Sequence, residues 1–135
     1  MSETDKARIL VVDDDEDSRI LVERVLRRHE FEVIAVSNGR AAVEIAMAEP
    51  LDLIILDIMM PGMDGHEVYT RLKESDKTRN IPIIMLTALN QSDKVERSMS
   101  FTPNWYITKP FESKYLLKRV RQVLFNSRHP RPLTE

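Results

Sequence analysis

The chain has 135 residues, with 20 basic and 22 acidic side chains, no cysteine and three glycines. That length suits one domain with a single substantial core. Without cysteine there are no disulfide frameworks, zinc–thiolate sites, iron–sulfur clusters or thiol nucleophiles, and a net charge of −2 argues against a coat for nucleic acid or an anionic membrane.

In chain order, the first eight residues are polar and hold no apolar segment behind a basic start, so no secretory signal is visible. Ile9 to Val12 is the first short apolar run; Val33 to Val36, Leu53 to Leu56, Ile83 to Leu86 and Trp105 to Ile107 come after it. Each is far below the roughly 18 residues of a membrane span, and a cytoplasmic location is expected. Runs that are apolar on both faces suit strands of a parallel sheet covered on each side. Between them lie segments with helical spacing. Ser18 to His29 carries Leu21, Val22, Val25 and Leu26 on one stripe, and Lys114 to Phe125 carries Leu116, Val120, Val123 and Leu124. Ser37 or Asn38 can cap a helix through Ala48 that Pro50 stops, Asp64 precedes another through Glu74, and Ser92 can cap a further one.

Strand and helix therefore alternate five times. Right-handed crossovers turn this into an α/β fold, a flavodoxin-like (βα)5 three-layer sandwich with parallel sheet order 2-1-3-4-5. Residues 1–125 are expected to form the domain, and 126–135, with Pro130 and Pro132, a polar tail or truncated linker.

The chemistry lies where the apolar runs end. The first ends in Asp13-Asp14-Asp15, the third in Asp57, the fourth in Thr87 and the fifth in Lys109. In a parallel sheet these carboxyl ends share one edge, so carboxylates, a hydroxyl and an ammonium converge there. Crowding Asp13, Asp14 and Asp57 disfavours ionising all three, so the pocket should hold a proton or recruit a cation. Oxygen-only ligands with open positions point to magnesium. Neither His29 nor His66 is spaced with these acids as a zinc set. A cation beside a carboxylate, a Lys and a Thr can stabilise a phosphoryl group, and an Asp can accept one as an aspartyl phosphate.

The segments ILVVDDDED (Ile9 to Asp17), LIILDIMMPGMDG (Leu53 to Gly65), PIIMLTA (Pro82 to Ala88) and YITKPF (Tyr106 to Phe111) together resemble the receiver domain of two-component response regulators, including its single-domain chemotaxis type. The resemblance implies that Asp57 accepts phosphate from a sensor histidine kinase or histidine phosphotransfer protein. It implies magnesium, or manganese in its place, on Asp14, Asp57 and the Met59 backbone carbonyl, with Asp13 acting through water. It further implies that Lys109 pairs with a phosphoryl oxygen, that Thr87 and Tyr106 form the switch, and that the Lys109-Pro110 bond is cis. The helix 4–strand 5–helix 5 face would then signal to a downstream partner or output domain, with a phosphorylation-dependent homodimer among its partners. Such a domain is a signalling phosphoacceptor rather than a turnover enzyme.

Two departures stand out. Met59 and Leu89, two residues beyond Asp57 and Thr87, are apolar, which implies slow self-hydrolysis. Thr102-Pro103-Asn104-Trp105 replaces the family's Gly-Ala-Asp-like turn. His66 reads as a surface residue at a helix start, and a calcium loop opening at Asp13 fails because Ser18 and Arg24 replace its Gly and Glu. Lys118, Arg119 and Arg121 make the last helix basic. The strongest rival is a haloacid-dehalogenase-like phosphohydrolase using Asp13. Against it, Asp17 stands where that family has Thr or Val, and Asp57 precedes Thr87 instead of coming after Lys109.

Overall fold

Five apolar runs become the strands β1 (Arg8–Val12), β2 (Glu32–Val36), β3 (Leu53–Asp57), β4 (Ile83–Ala88) and β5 (Trp105–Lys109) in a computed structural model that describes residues 6–88 and 105–128. All pair in parallel in the order β2-β1-β3-β4-β5, as expected. Four helices are described: α1 (Glu16–Arg28), α2 (Gly39–Ala48), α3 (Gly65–Glu74) and the C-terminal α4 (Ser113–Arg128). The helix expected after Ser92, Leu89 and the Thr102-Pro103-Asn104 turn lie outside the described residues.

Pleat alternation sorts the core into two layers. Ile9, Val11, Leu53, Ile55, Ile84, Leu86 and Ile107 pack with Val22 and Leu26 of α1 and Leu116 and Val120 of α4. Leu10, Val12, Ile54, Leu56, Ile83 and Met85 pack with Ala42 and Ala46 of α2 and Val68 and Leu72 of α3. β3 is buried along its whole length, which is why its sequence is apolar without alternation. Each fully buried Leu or Ile contributes about 1.5–3 kcal/mol. Among the described residues, no helix is long and apolar enough to cross a membrane.

Helix starts reflect local capping. Asp15 accepts from the Ser18 amide at 2.8 Å, Asn38 from Ala41 at 2.8 Å and Asp64 from Glu67 at 3.0 Å, each worth about 1 kcal/mol. Because Asp15 caps, α1 begins at Glu16, ahead of the Ser18 start that apolar spacing alone suggests. Its far end closes through Glu30, at φ 69, with Glu30 N–H on the Arg27 carbonyl and Phe31 N–H on that of Leu26, a turn that glycine usually makes. At the other terminus α4 continues to Arg128, so residues 126–128 extend the helix and do not open the polar tail expected from 126. Neither Pro nor Gly interrupts the chain between Ser113 and Arg128; the first breaker is Pro130.

Candidate functional site

The crossover order places β1 and β3 side by side, so their ends share the carboxyl edge of the sheet. Asp13 directly succeeds β1, Asp57 closes β3 and Lys109 closes β5. Asp13, Asp57 and Lys109 continue the parity of Val11, Ile55 and Ile107, which puts them on the α1/α4 side of the sheet. Carboxylate oxygens of Asp13, Asp14 and Asp57 lie within 4.8 Å of one another; Asp13 and Asp57 are buried and Asp14 is exposed. Across 96 residues of sequence, the Lys109 ammonium reaches Asp13 Oδ2 at 3.0 Å and Asp57 Oδ2 at 3.6 Å. The Lys109-Pro110 peptide is cis.

Asp13 is held at every polar atom. Its amide donates to the Val36 carbonyl at 3.2 Å and its carbonyl accepts from Arg19 Nη1 at 3.0 Å. Oδ1 accepts from the Asp15 amide at 3.0 Å, and Oδ2 from Lys109. Asp57 Oδ1 accepts from the Met59 amide at 3.3 Å. No hydrogen bond or ion pair reaches the Asp14 carboxylate among the described residues.

One ammonium cannot fully serve two buried carboxylates, and the closer one takes the charge. Burial, then the charge and hydrogen bond of Asp13, push the Asp57 carboxyl up to about 7 against an ordinary 3.8, with Lys109 only partly offsetting them. Burial would raise Asp13 too, but hydrogen bonds from Ser18, the Asp15 amide, Lys109 and Asp57 together hold it below 3.8. Lys109 itself is raised: burial opposes its charge, yet its bond to Asp13 and the charges of Asp13, Asp57 and Asp15 prevail. The pocket thus takes up a proton as pH falls through about 7, in keeping with the crowding of acids. Three convergent oxygen ligands, one of them open to water, also fit a hard divalent cation.

Thr87 and Tyr106 sit on the other parity. Met85 pairs with Tyr106 and Thr87 with Thr108, so Thr87 and Tyr106 are diagonal neighbours on the α2/α3 side. Thr87 is buried, and the half-buried Tyr106 packs against that layer. Two close approaches fix the loop between β3 and α3. The Gly65 amide donates to the Ile58 carbonyl at 2.9 Å, and a Cβ on Gly65 would lie 2.6 Å from the Asp57 carbonyl oxygen. A Cβ on Gly39 would lie 2.7 Å from that of Met63.

Sequence reasoning overlooked Arg19, although a basic residue in the second turn of α1 is placed to reach back to the preceding turn. His66 also differs from its expected surface setting: it is half-buried, and its Nε2 is shielded with no hydrogen-bond partner among the described residues. The phosphohydrolase reading fares worse. The nucleophile it requires, Asp13, is 0% exposed against 6% for Asp57, and Lys109 holds it more closely, at 3.0 Å against 3.6 Å.

Fold and pocket define a doubly wound α/β domain with its site at the topological switch point. The family model for the response regulator receiver domain matches residues 9–121. The chain is 40% identical over 118 residues to response regulator PleD of Caulobacter vibrioides, covering 87% of this chain and 26% of PleD. Over 116 residues it is 40% identical to the transcriptional regulatory protein SrrA of Staphylococcus aureus, covering 86% of this chain and 47% of SrrA. It therefore spans less than half the length of these relatives. Among solved structures, the receiver domain of sensor histidine kinase PA1611 from Pseudomonas aeruginosa PAO1, which has magnesium in its active-site cleft, superposes with a TM-score of 0.81 at 28% identity. That likeness covers 89% of this chain and 98% of the other. The chain belongs to the response regulator receiver family and is a phosphoacceptor of two-component signalling.

Proposed function

We propose that Asp57 is the acceptor, taking a phosphoryl group from a phosphohistidine on a sensor kinase or phosphotransfer protein. An Asp57 oxygen forms the new P–O bond as the donor's P–N bond breaks, and the departing imidazole takes up a proton. The observation that carries this reading is the meeting of three carboxylates with one shared Lys109 ammonium at the switch point of the sheet. Asp14, Asp57 and the Met59 carbonyl would hold magnesium or manganese, with Asp13 acting through water. When bound, the cation supplies charge neutralisation for the transferring group.

Lys109 pairs with a phosphoryl oxygen and so leaves its place between Asp13 and Asp57. Thr87 hydrogen-bonds the phosphoryl group and Tyr106 repacks behind it, a population shift between two packings of one face. Their shared side of the sheet supports this coupling. The changed face includes β5, the C-terminal helix and the segment after β4, and it signals to a partner, an output domain or a second copy of the chain. The donor docks beside the pocket. There Leu21 is 44% exposed, and it lines a cleft of about 370 Å³ between α1 and Pro110-Phe111 that includes Lys109. We place the whole exchange in the cytoplasm and read the chain through the end of α4 at Arg128 as the receiver unit, with 129–135 as a polar tail or linker.

Asp57→Asn should abolish uptake of label from acetyl phosphate, read by mass or by autoradiography. Uptake at the parent rate, or label on Asp13, overturns the assignment. Met59, apolar and 55% exposed, gives attacking water no hydrogen-bond partner, which supports slow loss of the phosphoryl group. Replacing Met59 and Leu89 with polar residues should shorten the phosphorylated lifetime.

A further inference from the structure

Among the described residues, Asp14 is the member of the acid cluster whose carboxylate has no hydrogen-bond or ion-pair partner. Asp13 is gripped by β2, the Asp15 amide and Lys109, and Asp57 by the Met59 amide and Lys109. The direction of the Asp14 carboxylate therefore depends on its backbone, and above all on the peptide plane that joins it to Asp13. That plane has one side-chain anchor among the described residues. The half-buried Arg19 of α1 donates Nη1 to the Asp13 carbonyl oxygen at 3.0 Å. We propose that Arg19 is a positioning residue: by pinning the Asp13–Asp14 peptide it aims Asp14 into the cluster and preorganises it for a divalent cation. This rests on the magnesium reading above.

Charge alone predicts the opposite result. A guanidinium beside a divalent cation repels it, so deleting Arg19 should tighten magnesium binding if its charge is what matters. If Arg19 positions a ligand, deleting it should weaken binding, since groups that orient metal ligands typically contribute about 10- to 100-fold in affinity. The sign decides. The bond also points at a carbonyl, so Arg19 itself occupies no carboxylate oxygen of the cluster.

The test is calorimetric titration of the full chain with magnesium chloride, comparing the parent with Arg19→Met, Arg19→Gln and the more distant Arg24→Gln. Arg19→Met should bind about tenfold more weakly, and Arg24→Gln as tightly as the parent or slightly more so. Nitrogen-15 NMR of the metal-free protein supplies a readout that general destabilisation would not produce. The Asp14 amide, which belongs to the pinned peptide, should shift in Arg19→Met and stay in place in Arg24→Gln. Arg19→Gln, which keeps a polar side chain, provides the same comparison if the Met variant fails to fold. Unchanged or tighter magnesium binding in a folded Arg19 variant overturns the proposal, as does an unmoved Asp14 amide. A parent that takes up no magnesium fails one step earlier, because it removes the metal reading on which the proposal stands.

Discussion

The two ends of the sheet carry the same charge inventory and treat it differently. At the amino edge Arg8 meets three acids: Nε pairs with Glu32 at 3.0 Å, Nη2 with Glu49 at 2.9 Å, and its backbone amide donates to Asp52 at 2.8 Å. At the carboxyl edge Lys109 meets two acids, Asp13 and Asp57, with the Asp14 carboxylate beside them. Arg8 offers each acid a separate donor in a setting where Glu32 and Glu49 side chains are 50% and 43% exposed, so water screens whatever the pairing leaves over. Lys109 divides one ammonium between two side chains that are 0% and 8% exposed. Reactivity in this molecule therefore comes from burial and from too few donors, not from the number of acids.

Four experiments put that contrast at risk, and the first carries the biggest change. Lys109→Ala should slow phosphorylation by acetyl phosphate on the order of 10²–10³-fold, as for removal of one preorganised electrostatic donor; a rate within twofold of the parent would remove Lys109 from the chemistry. Magnesium affinity should be nearly constant above pH 7 and fall by up to about tenfold per unit below it, because bound Asp57 must release a proton that it holds up to about pH 7. Calorimetry from pH 5.5 to 8.5 reads this directly, and a flat profile would mean that Asp57 is already ionised.

The metal-free protein should show the same imbalance in its stability. The folded state holds the Asp57 proton more tightly than the unfolded chain does. The stability this gives is fully present below the ordinary 3.8 and is lost as pH rises through about 7. Asp13 runs the other way, its contribution present above 3.8 and lost as pH falls further. Thermal scans in EDTA at pH 5 and pH 8 should therefore show a drop in Tm that Asp57→Asn removes. The smallest effect belongs to the amino edge. Arg8→Met should cost about 1 kcal/mol or less in urea unfolding, with magnesium affinity untouched; a loss of several kcal/mol would make the exposed cluster far more than a surface feature.

Much of this is legible in the sequence. Asp64 caps the helix assigned to it there, and Asn38 is the one of the two offered caps, Ser37 or Asn38, that serves α2, because capping is settled within three residues of the cap. Strand identities come from short apolar runs, and the meeting of Asp13, Asp14, Asp57 and Lys109 comes from placing those runs in one parallel sheet. Where local rules compete, boundaries moved: Asp15 drew the start of α1 forward, and α4 ran on to Arg128 because no residue there stops a helix. Arg19 escaped notice because a charged residue on an amphipathic helix normally reads as solvated. His66 was misjudged because no local pattern reports what packs over a ring nitrogen.

Amino-acid order alone dictates which residues stand at the strand ends, which begin helices, and that an excess of acid must be resolved by a proton or a cation. Those outcomes depend on neighbours within a turn or on counts of charge. The folded chain was needed to put Lys109 closer to Asp13 than to Asp57, to leave Asp57 as the acid holding a proton, and to bring Arg19 onto the peptide before Asp14. Those are differences of tenths of an ångström and of burial between residues as far as 96 positions apart, and only the packing of helices on both faces of the sheet sets them.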